Sequence, residues 1–219
     1  MSEAAFHVLS HALTQCQADR VTGTLRLIGG PGGVVQLNNG AVTSVESPGA
    51  PGAAVLSTRA GKVDEADWIA GLCADGAFAI AMGGVRECAV DREPARPPRR
   101  GLDPGWLLRE TSRRLEVLTS LSCAVSPYRE RVVRMTGRQP GVLPTFWREI
   151  LVHANGRRTA SNLAFMVRRG LYVVTVEISE MLGKDLLKIA PDAFPDAVAG
   201  SPAPLPRRRP GAGRPGFPR

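Results

Sequence analysis

The chain has 219 residues and is 43% apolar, which is enough to bury one large core or two small ones. No stretch approaches the roughly eighteen consecutive apolar residues that suggest a membrane-spanning helix. The acidic Glu3 stands near the start, where a secretory signal would be basic. These features argue against a membrane-embedded or secreted chain and predict a soluble, cytoplasmic protein.

Positive charge is concentrated in the C-terminal part of the sequence. The formal net charge is +8, yet residues 1–90 hold five basic and eight acidic residues, so the whole excess lies in residues 91–219. This asymmetry favours an anionic partner such as nucleic acid, an acidic protein or a membrane surface. The alternative is compositional, because only three of the 28 basic residues are lysines and a GC-rich genome produces the same usage.

Cysteine and histidine usage argues against a metal centre. The four cysteines are widely spaced and include no Cys-x-x-Cys pair. This pattern disfavours a zinc ribbon or a thioredoxin-like site, so we expect free thiols. His7 and His11 lie four residues apart, a spacing that can bind metal, but no third ligand and no zincin glutamate accompany them. We therefore expect neither a metal nor another cofactor.

The first part of the chain reads as a helix followed by an antiparallel meander. Phe6, Leu9 and Leu13 recur at helical spacing. Apolar and polar residues then alternate in TGTLRLIG and GVVQLNNGAVTSVES, as in half-buried strands. Asn39-Gly40 is a preferred pair for a two-residue hairpin turn, since both residues accept a positive φ. The stretch GGPGG lies between strands and lacks the Lys-Ser/Thr of a phosphate-binding loop.

The following region reads as two helices, a strand and a linker. Asp64 is a natural N-cap, and Trp68 and Leu72 mark the buried face of the second helix. The apolar run AFAIAM, residues 77–82, predicts a buried strand. The stretch DREPARPPRRG, residues 91–101, contains three prolines and four arginines and predicts a linker.

A strong helix is predicted next, with Asp103 as N-cap and Pro104 at the first helical position. The stretch RERVVRM predicts a short strand. Beyond about residue 190 the chain ends in a basic tail rich in Pro and Gly, which predicts disorder because it offers little apolar surface to bury. The inner stripe of the helix is predicted to comprise Leu108, Thr111, Leu115 and Leu118.

Residues 142–190 have the outline of a winged helix-turn-helix. Asn155-Gly156 ends a first helix, Thr159 caps a second, and Gly170 makes the turn into a third. The stretch LLKI predicts a strand that begins a wing. Apolar residues at helical spacing predict the buried faces of the three helices. They are Phe146, Ile150 and Leu151 in the first, Ala160, Leu163, Ala164 and Val167 in the second, and Val174, Ile178, Met181 and Leu182 in the third.

The third helix is poorly suited to reading bases. At about 100° per residue its outward side would present Val176, Ser179, Glu180 and Gly183. None of these is the Arg, Lys, Asn or Gln that makes the usual bidentate contacts to bases. Basic side chains around the three helices instead predict contacts to the phosphate backbone, with a solvated rim as the alternative. These predicted nucleic-acid-binding residues are Arg157, Arg158, Arg168, Arg169, Lys184 and Lys188.

Two resemblances follow from these motifs. The stretch TGTLRLIGGPGGVVQLNNGAVTSVESPGAPG, with the later GKVDEADW, resembles the domain of unknown function at the N-terminus of PatA-type response regulators, and Asn39-Gly40-Ala41-Val42 matches its turn. Residues 142–190 resemble winged-helix domains of actinobacterial regulatory proteins, many of which are encoded among small-GTPase and roadblock-type signalling proteins. The second resemblance implies DNA binding or protein contact, and neither implies catalytic residues.

The sequence therefore predicts a non-enzymatic, cytoplasmic regulatory protein of the α+β class that contacts DNA through phosphates. The alternative is a protein–protein adaptor in a small-GTPase or roadblock-type system, without DNA binding. We expect no membrane partner, and the oligomeric state stays open. The predicted organisation is an α+β domain with a small antiparallel meander in residues 1–90, a linker in 91–101, a connecting helix and strand in 102–141, a winged helix in 142–190 and a disordered tail in 191–219.

Overall fold

The computed structural model of the protein describes residues 3–56, 64–94, 101–136 and 142–191. In these ranges the chain is α+β, which confirms the predicted class. The helices are α1 (Glu3–Ala18), α2 (Ala53–Leu56), α3 (Glu65–Ala81), α4 (Pro104–Ser120), α5 (Thr145–His153), α6 (Ala160–Val167) and α7 (Leu171–Gly183). The strands are β1 (Gly23–Gly30), β2 (Gly33–Asn38), β3 (Ala41–Glu46), β4 (Gly84–Arg92), β5 (Arg131–Arg134), β6 (Asn155–Thr159) and β7 (Leu187–Ile189).

The first four strands form an antiparallel sheet in the order β3-β2-β1-β4, here called the large sheet. The predicted hairpin between β2 and β3 is confirmed, with Asn39 at φ 51° and Gly40 at φ 80° between the paired residues Asn38 and Ala41. Alternate residues of the strands are buried, as period-two patterning requires. Helix α1 packs against β4, and α3 packs against β3.

Helix α3 corrects one prediction. Residues 77–82 are not a strand, since residues 77–81 are the last turns of α3 and Met82 is its C-cap. Every residue of α3 from Cys73 onward is buried. A helix that is covered on all sides loses its amphipathic period, so its sequence resembles that of a buried strand. The predicted N-cap is confirmed, because the carboxylate of Asp64 accepts a hydrogen bond from the amide of Ala66 at 3.0 Å.

Strand β4 corrects a second prediction. It runs to Arg92 and pairs with β1 along its length, so the first two residues of the predicted linker, Asp91 and Arg92, belong to the large sheet. Val85 is buried, but the rest of β4 is exposed because it is an edge strand. Its sequence therefore lacks the alternation that marks a half-buried strand. Residues 95–100 of the predicted linker lie outside the described part of the chain.

Helix α4 confirms its predicted start. Asp103 accepts a hydrogen bond from the amide of Trp106 at 2.9 Å, and Pro104 occupies the first turn. Thr111 and Leu118 of the predicted inner stripe are buried, whereas Leu108 and Leu115 are half-buried. Leu107, which the sequence analysis did not select, is fully buried.

Three strands of the C-terminal half form a second antiparallel sheet in the order β6-β5-β7, here called the small sheet. The strands predicted from RERVVRM and LLKI are thus confirmed as β5 and β7. The three predicted helices are present as α5, α6 and α7, and Thr159 caps α6 through a capping box with Asn162. Because β5 precedes α5 in sequence yet lies between β6 and β7, the winged-helix prediction is not confirmed as a topology. The predicted tail lies outside the described residues beyond Pro191.

The turn before α7 differs from the prediction. The left-handed residue is Arg168, at φ 53°, and Gly170 is the N-cap of α7 with an ordinary negative φ. Ser179 is not on the outward side of α7, since it is 1% exposed and its hydroxyl receives a hydrogen bond from the amide of Val125. The predicted inward residues Val174, Ile178 and Met181 are buried, and Leu182 is half-buried. Helix α7 is therefore covered on two sides rather than one.

The two halves share α3. One buried cluster lies between α1, α3 and the large sheet. A second cluster contains the apolar residues of α5, α6 and α7 and also takes in Phe78, Ala79 and Met82 of α3 and its C-cap. The rings of Phe78 and Tyr172 meet edge to face, with centroids 5.3 Å apart, and the hydroxyl of Tyr128 donates to the carbonyl of Ala79 at 2.9 Å.

The N-terminus of α7 is held by a residue of α3. The carboxylate of Asp75 accepts hydrogen bonds from the amides of Leu171 at 2.7 Å and Tyr172 at 2.8 Å. Gly170 offers no side chain for this purpose, so Asp75 acts as the capping residue from another helix. Arg114 of α4 lies 3.7 Å from the same carboxylate. This buried contact fixes how the two halves pack together.

Replacement of two glycines of α3 by alanine should change the stability of the fold in opposite directions. A Cβ at Gly76 would lie 2.7 Å from the carbonyl oxygen of Val45, whereas a Cβ at Gly71 would meet nothing within 4 Å. We expect Gly76→Ala to destabilise the fold by about 1–3 kcal/mol through overpacking. Gly71→Ala should stabilise it by about 1 kcal/mol, the helix-propensity gain. Urea unfolding measures both, and changes of the same sign would contradict the close packing of α3 on β3.

Removal of the Asp75 carboxylate should destabilise the protein strongly. Asp75→Ala leaves the amides of Leu171 and Tyr172 without their acceptor and takes a buried partner from Arg114, so we expect a loss of about 3 kcal/mol. Asp67→Ala in the first turn of the same helix is the matched control, because Asp67 is exposed and its loss should cost at most about 1 kcal/mol. Equal losses in urea unfolding would contradict the capping role of Asp75.

Candidate functional site

The small sheet is rich in positive charge. Its strands read RVVR, NGRRT and LKI, which include five basic residues and no acidic residue. Val132 and Leu187 are buried against the helices, at 1% and 2% exposure, and mark the inner side of the sheet. The opposite side faces solvent, and positive side chains are concentrated there.

Strand register assigns two of these cations to the outer side. Arg131 and Val133 flank the inward Val132 and therefore point outward, and Lys188 is directly opposite Val133. Arg157 lies in a bulge of the β5–β6 pairing, between Arg158 opposite Val132 and Asn155 opposite Val133, and its side chain is exposed. Arg131, Arg157 and Lys188 are exposed, and none of them forms an ion pair with another described residue. We call this surface, defined by Arg131, Arg157 and Lys188, the basic sheet face.

The structure separates the six cations predicted from the sequence. Only Arg157 and Lys188 lie on the basic sheet face. Arg158 is on the inner side of the sheet, half-buried, and its guanidinium donates to the carbonyl of His153 at 3.0 Å. Its hydrogen bond to the backbone makes Arg158 a structural residue of the β6 strand rather than a free phosphate ligand.

The other three predicted cations lie at the two ends of α7. Arg168 and Arg169 are in the turn before the helix, and the guanidinium of Arg169 lies 4.6 Å from the centroid of the Phe146 ring. Lys184 follows the helix, 4.5 Å from the centroid of the Trp147 ring and 3.9 Å from the carboxylate of Glu180. Since α7 is about 20 Å long at 1.5 Å per residue, these cations do not form one cluster along it.

The N-terminal end of α7 is packed against α3. The amides of Leu171 and Tyr172 are bonded to Asp75, and Leu171 and Thr175 are fully buried. In a helix-turn-helix this end of the recognition helix contacts base edges. The packing of α7 therefore differs from that of an exposed recognition helix.

Sequence reasoning missed Arg131 as a site residue. It is exposed in β5, the central strand of the small sheet. The predicted strand RERVVRM contained part of the signal, because Arg131 and the apolar Val132 alternate and therefore lie on opposite sides of a strand. Its importance depends on β6 and β7 pairing with that strand, which local sequence does not reveal.

A second surface is an apolar cleft of about 1060 Å³ at one end of the large sheet. Three large apolar side chains in its lining stay accessible to solvent, with Ile28 52%, Ile69 36% and Phe165 37% exposed. They come from β1, α3 and α6, so both halves of the chain contribute. Exposed apolar side chains grouped in a concave surface are typical of binding sites.

The wall of the cleft formed by residues 47–52 is held at both ends. The hydroxyl of Ser47 donates to the carbonyl of Gly32 at 2.8 Å, which ties the wall to the β1–β2 turn. The hydroxyl of Ser161 in α6 donates to the carbonyl of Gly49 at 2.8 Å. These buried hydrogen bonds preform this side of the cleft.

The cleft has few charged or reactive side chains among its described residues. Among the described residues that line it, Glu46 alone is charged. Cys73 also lines it, but burial raises the pKa of its thiol to about 11, so the reactive thiolate is scarce at neutral pH. No group of three His, Cys, Asp or Glu side chains suited to a metal occurs within the described ranges. The cleft is therefore suited to binding apolar groups rather than to nucleophilic chemistry.

No helix in the described part of the chain is both long enough and apolar enough to cross a bilayer.

No protein family, no curated protein and no solved structure matches the chain. The resemblances to the PatA-type N-terminal domain and to actinobacterial winged-helix domains therefore stay predictions.

Proposed function

We propose that the protein is a non-enzymatic regulatory protein that binds the phosphate backbone of nucleic acid through the basic sheet face. The observation that supports this most directly is the composition of the small sheet, with five basic residues, no acidic residue and three exposed cations that form no ion pair among the described residues. Such a surface attracts a polyanion without reading its sequence.

The geometry of α7 favours this mode over base reading. The helix that would enter the major groove is capped by Asp75 and buried at its N-terminus. Among the described residues nothing covers the sheet face in this way, since Arg131, Arg157 and Lys188 are exposed on three paired strands. Contacts from these side chains would be charge-driven and independent of base sequence.

We infer further that the C-terminal half is a variant of the winged-helix architecture. Its order α5-β6-α6-α7-β7 places a strand after the first helix and another after the third. Strand β5, which precedes α5, pairs with both of these strands. In this reading the sheet, rather than the recognition helix, is the surface that contacts nucleic acid.

Binding to duplex DNA should weaken steeply with salt. Three phosphate contacts correspond to a slope of about −2.7 in log K against log salt, or a loss of about 40-fold between 50 and 200 mM. Fluorescence anisotropy with two labelled duplexes of unrelated sequence measures this, and we expect the two to bind equally. Arg131→Ala, Arg157→Ala and Lys188→Ala should each reduce the magnitude of the slope by about 0.9, because each removes one contact.

Two controls separate this surface from other cations. Arg148→Ala removes the same charge from an exposed position of α5 and should leave the slope unchanged. Arg168→Ala with Arg169→Ala tests the turn predicted from the sequence. If that pair abolishes binding while the three sheet variants bind as well as the parent, the sheet proposal is wrong. Absence of binding at low salt would also overturn it.

A further inference from the structure

We propose that the apolar cleft binds a segment of a partner protein in which large apolar side chains adjoin a lysine or arginine. This site is separate from the basic sheet face, so the inference does not depend on nucleic-acid binding. It is carried by three features of the described part of the cleft, namely its exposed apolar residues, its size and the carboxylate of Glu46.

The apolar residues account for the affinity. Ile28, Ile69 and Phe165 present exposed surface from three directions around one concavity. Burying a large apolar side chain against such residues stabilises a complex without specific geometry. The volume of about 1060 Å³ lies at the upper end of the range for small-ligand sites, and it can hold several side chains of a peptide.

The carboxylate of Glu46 favours a ligand with a positive charge. Glu46, at the end of β3, is exposed and is the only charged side chain among the described residues that line the cleft. It forms no ion pair with another described residue. A cation placed there meets one carboxylate, whereas an anion meets a carboxylate and apolar surface. Charge complementarity therefore selects a basic residue beside the apolar anchors.

The charge around the cleft makes a control variant necessary. The protein has a formal net charge of +8, but residues 1–90, which supply most of the cleft lining, hold five basic and eight acidic residues. The surrounding charge of this part of the chain therefore also attracts a cationic peptide. Glu46→Gln separates the contribution of this one carboxylate from that of the surroundings.

The experiment compares two synthetic peptides on the full chain, acetyl-Ile-Lys-Leu-Phe-amide and acetyl-Ile-Glu-Leu-Phe-amide, by isothermal titration calorimetry. We expect the lysine peptide to bind more tightly. Glu46→Gln should weaken its binding about two- to fivefold, as for an exposed ion pair, and should remove the preference between the peptides. Phe165→Ser should weaken both peptides fivefold or more, because it removes an apolar anchor.

Two controls test whether weaker peptide binding comes from the cleft or from a general effect of the substitution. Val173→Ser removes an exposed apolar side chain of α7 that does not line the cleft, and it should leave both affinities unchanged. Glu46 is exposed, so Glu46→Gln should retain the parent's unfolding midpoint in urea. Phe165 is 37% exposed, so Phe165→Ser should lower the midpoint but stay folded at the temperature of the titration. Equal binding of the two peptides, tighter binding of the glutamate peptide, or parental affinity in Phe165→Ser would each overturn the proposal, as would the absence of binding by the lysine peptide.

Discussion

The packing of the two halves depends on one buried carboxylate. Asp75 accepts hydrogen bonds from the first two amides of α7, a helix whose own N-cap, Gly170, has no side chain to offer. The contact lies between α3, which packs on the large sheet, and the three-helix unit of the C-terminal half. Since α7 packs with α5, α6 and β7, this contact sets their position relative to α3 together with the apolar cluster around Phe78. The same contact buries the N-terminal end of α7.

The buried carboxylate of Asp75 needs hydrogen bonds and a positive charge nearby, and two backbone amides and Arg114 supply them. Burial raises the pKa of the Asp75 carboxyl, while the two amides and the Arg114 guanidinium oppose that shift. Arg114 lies over the ring of Tyr172 and donates to Glu110 at 2.8 Å. Hydrogen bonds from Arg113 and Arg114 hold the pKa of Glu110 at about 2, so it is ionised at neutral pH. Buried ion pairs add little net stability. We therefore infer that the contacts from Asp75 through Arg114 to Glu110 mainly fix the orientation of the two halves.

The turns and helix caps that depend on neighbouring residues could be predicted from the sequence. The Asn39-Gly40 turn and the caps at Asp64 and Thr159 depend on a few neighbouring residues, and all were found. The end of α3 was read as a strand because burial on every side erases helical periodicity. The inward position of Ser179 and the capping role of Asp75 depend on contacts 54 and 96 residues away, and no local pattern contains them. The sequence predicted Arg157 and Lys188 of the basic sheet face but not Arg131. Arg131 lies in β5, which precedes the predicted three-helix region and pairs with β6 and β7 only in the folded protein.

Helix α6 connects the two candidate surfaces. Its N-cap is Thr159, the last residue of β6, two positions after Arg157 of the basic sheet face. It contributes Phe165 to the cleft, and Ser161 ties it to the cleft wall at Gly49. The helix has eight residues and is therefore about 12 Å long. A ligand that displaces Phe165 acts on the element that continues directly into the basic sheet. Energetic coupling needs an element that both ligands bias. Among the described elements α6 adjoins both surfaces, so it is where we propose that the two proposed ligands affect each other.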